Sequence, residues 1–247
     1  MNPSVHTPTV SIVVPVFNEQ KHMHAFLNCL MRQSRLADTI YIIDNNCTDD
    51  SIRIAQQYPD VTIISESVQG ICAAVYTGLD AAAKSGGILI RCDADCRPES
   101  DWIERIIDDF GKDEDVVAVT GPGKAYDTGP IRSRLIDATY MKPYFRSVGL
   151  ALGNTPIFGS NFALKAETWR VIASSVHLKQ HQDIHDDIDI SYHIADKGRT
   201  YYDNDLVMPM SARPFNSLKG MIKRYVIGFR SIFLHWPEQA PWTRWMH

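Results

Sequence analysis

Between residues 10 and 120 the chain alternates short β-branched apolar runs with segments whose apolar residues recur at helical spacing, and few architectures accept that order. Val10-Ser11-Ile12-Val13-Val14-Pro15-Val16 is the first run, and Asn18-Glu19 then opens a stretch carrying Phe26, Leu27, Leu30 and Met31. Further strands are predicted at residues 39–43, 61–64, 87–92 and 116–120. Helices are predicted between them, at residues 51–57, at the alanine-rich residues 70–84, and after Pro98-Glu99, where Trp102, Ile103, Ile106, Ile107 and Phe110 recur. Each helix has to carry the chain back before the next strand starts, which makes the strands parallel and the crossovers right-handed. The fold class that follows is α/β, a Rossmann-related, mostly parallel sheet flanked by helices.

Beyond residue 121 the regularity fades. Gly121-Pro122-Gly123 and Gly129-Pro130 punctuate the chain, and residues 131–150 carry only weak helical signals. A strand is predicted at residues 157–164, with helices at 166–172 and 186–195. At 247 residues, 45% of them hydrophobic, one substantial core is within reach and a single domain is expected. A net charge of −4 supplies no basic field, which sets nucleic acid aside as a partner. Cys29, Cys47, Cys72, Cys92 and Cys96 form neither a CxxC pair nor a regular framework, so reduced thiols in a cytoplasmic setting are expected. Residues 1–9 lack the pattern of a secretory leader, and no apolar run approaches the ~20 residues of a membrane span.

Chemistry concentrates where the strands end. Asp93-Ala94-Asp95 directly follows the run at 87–92, which places two carboxylates at the carboxyl edge of the sheet, where open α/β sheets bind ligands. Such a pair can hold a divalent cation carrying a diphosphate. Acidic pairs also crowd ordinary solvated turns, so the pair gains meaning only from its surroundings. Cys92 and Cys96 flank a hard oxygen site and are read as core thiols.

Those surroundings consist of motifs in a particular order. Val14-Pro15-Val16-Phe17-Asn18-Glu19 follows the first strand, Asp44-Asn45-Asn46-Cys47-Thr48-Asp49 the second, and Gly70 opens a small-residue helix. Asp93-Ala94-Asp95 comes next, then Gly159-Ser160-Asn161-Phe162-Ala163-Leu164, then Asp186-Asp187-Ile188-Asp189. In this order and spacing the chain resembles family 2 glycosyltransferases of the GT-A type over most of residues 9–210.

The resemblance implies an inverting, metal-dependent enzyme that moves one sugar from a UDP-, GDP- or dTDP-sugar to an acceptor hydroxyl. It divides the domain into a nucleotide-sugar half at 9–121, an acceptor half at 122–215 and a C-terminal helix with an aromatic tail at 216–247. Pro15, Phe17, Glu19, Gln69 and Gly70 are implied to line the donor pocket, and Asp44 to accept from N–H groups of the base. Asp95 is implied to coordinate Mg²⁺ or Mn²⁺, with Asp93 on the ribose or on the metal. Gly159 and Asn161 fall on the acceptor side. Asp187 matches the general base, while Asp186 and Asp189 are the alternatives. Acids opening a helix also stabilise its dipole, and Asp44 would serve equally well in a turn.

Two features fall outside the motifs. His177, His181 and His185 recur every four residues, a spacing that suits metal ligands, although a solvated face or a substrate contact is the expectation. Residues 219–236 put Met221, Ile222, Tyr225, Val226, Phe229, Ile232, Phe233 and Trp236 on one broad face edged by Lys219, Lys223 and Arg230. Packing is the default for such a face, and peripheral contact with the inner surface of a membrane, near a lipid-linked acceptor, is the alternative to a soluble glycan or metabolite. The chain has no Gln-x-x-Arg-Trp motif of processive synthases, which favours single-sugar transfer. A catalytically silent nucleotide-sugar binder or scaffold, and a sugar-1-phosphate nucleotidyltransferase, are the other readings. The nucleotidyltransferase is disfavoured by the lack of a Gly-rich basic loop near the first strand.

Overall fold

A computed structural model describes residues 7–244, so Trp245 of the aromatic tail and the first six residues lie outside the described residues. The chain runs β1 (Val10–Val16), α1 (Gln20–Leu30), β2 (Thr39–Asp44), α2 (Ser51–Ala55), β3 (Val61–Ser65), α3 (Ile71–Ala82), β4 (Ile88–Arg91), α4 (Trp102–Phe110) and β5 (Val116–Thr120). It continues through β6 (Gly123–Ala125), α5 (Pro130–Ile136), a π-turn at Asp137–Met141, α6 (Lys142–Leu152), β7 (Phe162–Lys165), α7 (Ala166–Ile172), α8 (Asp186–Ile194), β8 (Arg199–Tyr202), β9 (Met208–Met210), α9 (Leu218–Leu234) and α10 (Pro241–Arg244).

Seven strands form one sheet in the order β3-β2-β1-β4-β7-β5-β8. β1 pairs in parallel with β2 and β4, so the winding reverses beside β1 and a crevice opens at the carboxyl ends of these strands. The expectation of a mostly parallel sheet holds, with one departure. β7 runs antiparallel to both β4 and β5, and it is shorter than the run predicted at 157–164 because residues 158–161 make a tight bridged turn before it. β7 and β8 complete the sheet begun by β1 to β4, so both halves of the chain share one core. β6 and β9 pair separately as a two-stranded ribbon.

Alternation along β1 builds the two layers. Val10, Ile12, Val14 and Val16 face Met23, Phe26, Leu27 and Leu30 of α1, while Val13 faces Cys72, Val75, Leu79 and Ala82 of α3. The apolar runs thus bury both faces of the strands, as a sheet covered by helices requires. Residues 131–150 are helical, through α5, the π-turn and α6.

The approach of α3 to the sheet depends on Gly78. A β-carbon there would lie 2.3 Å from Val13 Cγ1 and 2.9 Å from Ile43 Cγ1, both on rigid β-branched side chains. Gly78→Ala is therefore expected to destabilise the protein by about 1–3 kcal/mol despite the better helix propensity of alanine. Urea unfolding of the two proteins checks this, and equal or greater stability of the variant would disprove the close packing.

Candidate active site

The crevice at the carboxyl edge holds a cleft of about 300 Å³. Pro15, Phe17 and Glu19 line it from the end of β1, Gln69 and Gly70 from the start of α3, and Asp93 and Asp95 from the loop after β4. Ser160, Tyr140, Arg213 and Arg224 close the other side. Seven of the residues expected from sequence therefore meet in one cleft, although they come from three separate loops.

The two acids after β4 have different partners. Asp93 Oδ2 accepts from Ser160 Oγ at 2.5 Å, and Asp93 Oδ1 lies 3.1 Å from Arg91 Nη1. Asp95 points into the cleft and pairs with Arg213 Nη2 at 3.1 Å, which also reaches Glu19 Oε1 at 2.5 Å. Glu19 Oε2 is buried with no hydrogen-bond partner among the described residues. Burial first, and then the charge of Asp93, push the Asp95 carboxyl up to about 6, against the pull of Arg213. Asp95, Glu19 and Asp93 offer an oxygen-only donor set whose chemistry fits Mg²⁺ or Mn²⁺.

Arg91 gave no signal in the sequence beyond being the one charge at the end of an apolar run. It is 1% exposed, and its guanidinium reaches Asp93 on one side and Asp186 Oδ2, at 3.4 Å, on the other. Burial pushes the Asp186 carboxyl up, while Arg91 opposes that shift. Asp187 lies beside it, beneath the cleft wall: its Oδ2 accepts from the Gly159 N–H and its Oδ1 from the Ile188 N–H, both at 2.8 Å. A β-carbon at Gly159 would stand 3.1 Å from Arg91 Nη1 and 3.2 Å from Asp187 Oδ2, so glycine keeps the wall thin there.

Three expected site residues are placed elsewhere. Asn161 is fully buried, and its amide is consumed by Trp102 Nε1 at 2.9 Å and the Leu206 carbonyl at 2.6 Å, which makes it a brace and not an acceptor contact. Asp189 turns to the opposite side of α8, where the His177 N–H donates to its Oδ2 at 2.8 Å, so it cannot reach the cleft as a base. Asp44 closes a turn by accepting from the Cys47 N–H at 2.8 Å and does not line the cleft; its neighbour Asn45 does, accepting from the Gly70 N–H and donating to the Val68 carbonyl.

Gly70, at φ 149°, lets Gln182 come close enough to accept from the Ala73 N–H at 3.1 Å. A side chain at Gly70 would collide with Gln182.

The three regularly spaced histidines do not share a face. The His185 N–H donates to Ser231 Oγ at 2.7 Å, whereas His177 joins Asp189, His193 and His235 in a separate cluster. Burial pulls His193 down to about 4. Cys92 and Cys96 are fully buried core thiols, as expected.

A second, more apolar groove begins at the cleft, with which it shares Tyr140 and Arg224. Tyr144, Val148, Ile188, Phe229 and Ile232 line it between α6 and α9.

The family model described as Glycosyl transferase family 2 matches residues 11–167. The chain is 32% identical over 105 residues to Glycosyltransferase AglE of Haloferax volcanii, a match that covers 40% of this chain and 34% of that protein. It is 28% identical over 140 residues to Putative glycosyltransferase EpsH of Bacillus subtilis, covering 55% of this chain and 40% of that one. The chain thus spans roughly a third to two fifths of the length of these relatives. Among solved structures it is similar to the mannosyltransferase PcManGT from Pyrobaculum calidifontis in complex with GDP-Man and Mn²⁺, with a TM-score of 0.67, 18% identity, and coverage of 93% of this chain and 64% of that one. A glucosyl-3-phosphoglycerate synthase from Mycobacterium tuberculosis in complex with Mn²⁺, UDP and glucosyl-3-phosphoglycerate matches with a TM-score of 0.59 and 18% identity, over 92% and 79% of the two chains. Likeness at this level shows a shared fold, the GT-A-like arrangement.

The raised Asp95 carboxyl makes a pH prediction. A carboxyl that binds its proton more tightly when folded stabilises the protein below its unfolded pKa, and that contribution is lost as pH rises through the folded value. Metal-free wild type should therefore lose melting temperature between pH 4 and about pH 7 relative to Asp95→Asn, because burial and the charge of Asp93 push the Asp95 carboxyl up to about 6. Thermal denaturation in EDTA checks this. Parallel pH profiles for the two proteins would show that Asp95 ionises without cost.

Proposed function

The chain belongs to glycosyl transferase family 2, and on that premise we propose that it transfers one sugar from a nucleoside-diphosphate donor to an acceptor hydroxyl with inversion at the anomeric carbon. The observation that carries this reading is the meeting of Asp95, Asp93 and Glu19 in one cleft, with Asp187 just behind its wall. Phe17, half exposed at the cleft, offers a face for the base, and a UDP-, GDP- or dTDP-sugar is the donor class. Mg²⁺ or Mn²⁺ held by Asp95 would offset the negative charge that grows on the leaving diphosphate. Arg213, which pairs with Asp95 and Glu19 across the cleft, would supply a guanidinium donor to the diphosphate.

Asp187 serves as the base in this reading. Its neighbours Ile188, His185 and Tyr144 line the apolar groove, while Phe158 and Ser160 flank Gly159 on the donor side. In this reading the carboxylate between the two recesses takes a proton from an acceptor that enters by the groove and attacks opposite the leaving diphosphate. Asp187→Asn is expected to keep donor binding and lose ~10²–10⁴-fold in transfer rate. A donor panel with Mg²⁺ and Mn²⁺, followed by an acceptor screen, provides the assay. Undiminished turnover in the folded variant would remove Asp187 from the role. Donor binding without turnover on any acceptor would instead favour the silent-binder reading.

The groove also favours a lipid-linked acceptor. It leads to α9, whose Leu218, Ile222, Val226, Phe229 and Phe233 are exposed, with Lys219, Lys223 and Arg230 alongside. No helix among the described residues is long and apolar enough to cross a membrane, so contact through this face would be peripheral. Each basic residue contributes ~1 kcal/mol near an anionic surface, so Lys219→Gln, Lys223→Gln and Arg230→Gln together should weaken co-sedimentation with acidic liposomes by about tenfold or more. Raised salt should do the same to wild type. Absence of wild-type binding would return the acceptor to the soluble class.

A further inference from the structure

On the side of α8 turned away from the cleft, three imidazoles and one carboxylate converge. His177 comes from the segment after α7, Asp189 and His193 stand one turn apart on α8, and His235 follows the last residue of α9. One donor atom from each lies within 4.8 Å of all the others. Asp189 Oδ1 is 2.8 Å from His177 Nδ1, 3.1 Å from His235 Nε2 and 3.8 Å from His193 Nε2. Its other oxygen is held by the His177 backbone N–H, which fixes the rotation of the carboxylate.

Hydrogen bonds alone leave this cluster unsatisfied. His193 Nε2 is buried with no hydrogen-bond partner among the described residues, its distance to Asp189 Oδ1 being 3.8 Å, and His235 Nε2, 3.1 Å from the same oxygen, meets it outside good hydrogen-bond geometry. Asp189 is fully buried, and Tyr192 stacks on His235 with ring centroids 4.0 Å apart and planes 9° from parallel. A buried polar atom left unpaired is destabilising, and one carboxylate oxygen cannot meet three rings in good geometry. A single cation among the four atoms would give every lone pair a partner.

We propose that His177, Asp189, His193 and His235 bind one Zn²⁺ as a structural site, separate from the donor cleft and independent of the reaction assigned to it. Three imidazole nitrogens and one carboxylate oxygen form a closed four-coordinate set of the composition zinc takes, whereas Mg²⁺ demands oxygen ligands. In a tetrahedron with bonds of about 2.0–2.1 Å, neighbouring donors stand roughly 3.3 Å apart. The three distances to Asp189 Oδ1, 2.8, 3.1 and 3.8 Å, bracket that value. The zinc clamps the end of α9 to α8, and so joins the helix that delivers Arg224 to the cleft with the helix that begins at Asp186-Asp187.

The test uses the full chain without a polyhistidine tag, stripped by chelator, reloaded with Zn²⁺ and passed through gel filtration before metal analysis. Wild type should retain one zinc per chain. His193→Ala and His235→Ala should each weaken zinc by more than the ~10–100-fold that loss of an outer partner costs. His181→Ala, whose ring centroid lies 6.2 Å from that of His177 but outside the four, and Asp95→Asn should both retain zinc. Co²⁺ loaded into wild type should show the strong visible absorption of a tetrahedral site, a readout that needs no variant to fold. A wild-type chain that keeps no zinc, a six-coordinate Co²⁺ spectrum, or zinc retained by both histidine variants would overturn the proposal.

Discussion

The buried guanidinium of Arg91 is the interaction on which the site depends. It stands at the end of β4, in the middle of the sheet, and reaches Asp93 on the donor side and Asp186 at the start of α8. Burial works against its charge, but Asp93, Asp186 and Asp187 outweigh burial and hold it firmly protonated. Such an arrangement adds little net stability, since the desolvation of the ions offsets their attraction, yet removing one partner strands a buried charge at a cost of about 3–5 kcal/mol. Arg91 therefore works as a registration device, setting where α8 begins relative to the carboxyl edge of β4. Gly159 completes it, because a β-carbon there would press on both Arg91 Nη1 and Asp187 Oδ2.

From this centre the two halves of the chain become one site. Strands β7 and β8 enter the sheet built by the first half, so the residues beyond 121 are positioned by the same core as the loops after β1 and β4. Thr120 and Asn161 lock that junction: Thr120 Oγ1 donates to the Asn161 carbonyl at 2.8 Å and accepts from the Phe158 N–H at 3.0 Å. The turn at 158–161 is thereby rigid on its buried side and presents Ser160 to Asp93 on the other. Arg213 crosses the cleft mouth from a segment 194 positions beyond Glu19, which brings the C-terminal part of the chain to Glu19 and Asp95.

Local periodicity made the first half legible. The runs at β1, β2 and β4 are apolar on both faces because helices cover both faces, and the acids at their ends stand out against them. Direction of pairing is not local, so nothing in Phe162-Ala163-Leu164 disclosed that β7 runs antiparallel. The three-residue strands β6 and β9 are too short to show any period. Among site residues, Glu19, Asp93 and Asp95 were legible because loops after parallel strands converge on one edge. Arg213 and Arg224 were not, since contacts across such separations leave no spacing to read. Asn161 was misread for a related reason: a polar residue in a motif looks functional until its amide is found spent on Trp102 and Leu206.

The acids of α8 show how one turn of helix separates roles that the sequence runs together. Successive residues point about 100° apart, so Asp186, Asp187 and Asp189 leave the helix in three directions. Asp186 meets Arg91, Asp187 meets the Gly159 N–H beneath the cleft wall, and Asp189 meets His177, His193 and His235 on the far side. All three sit in the first turn, where the helix dipole favours negative charge, and all three are buried, so each needs a partner of its own. The partners differ in chemistry: a permanent cation for Asp186, backbone N–H groups for Asp187, imidazoles for Asp189. An acid fixed by an arginine is tied to its structural pair. One held by backbone amide hydrogens, with the Tyr144 hydroxyl also against it, has no cation paired directly to it, and one ringed by imidazoles belongs to a nitrogen-rich site. Burial of the helix start, by forcing a separate solution for each carboxylate, is what sorts a run of similar residues into distinct tasks.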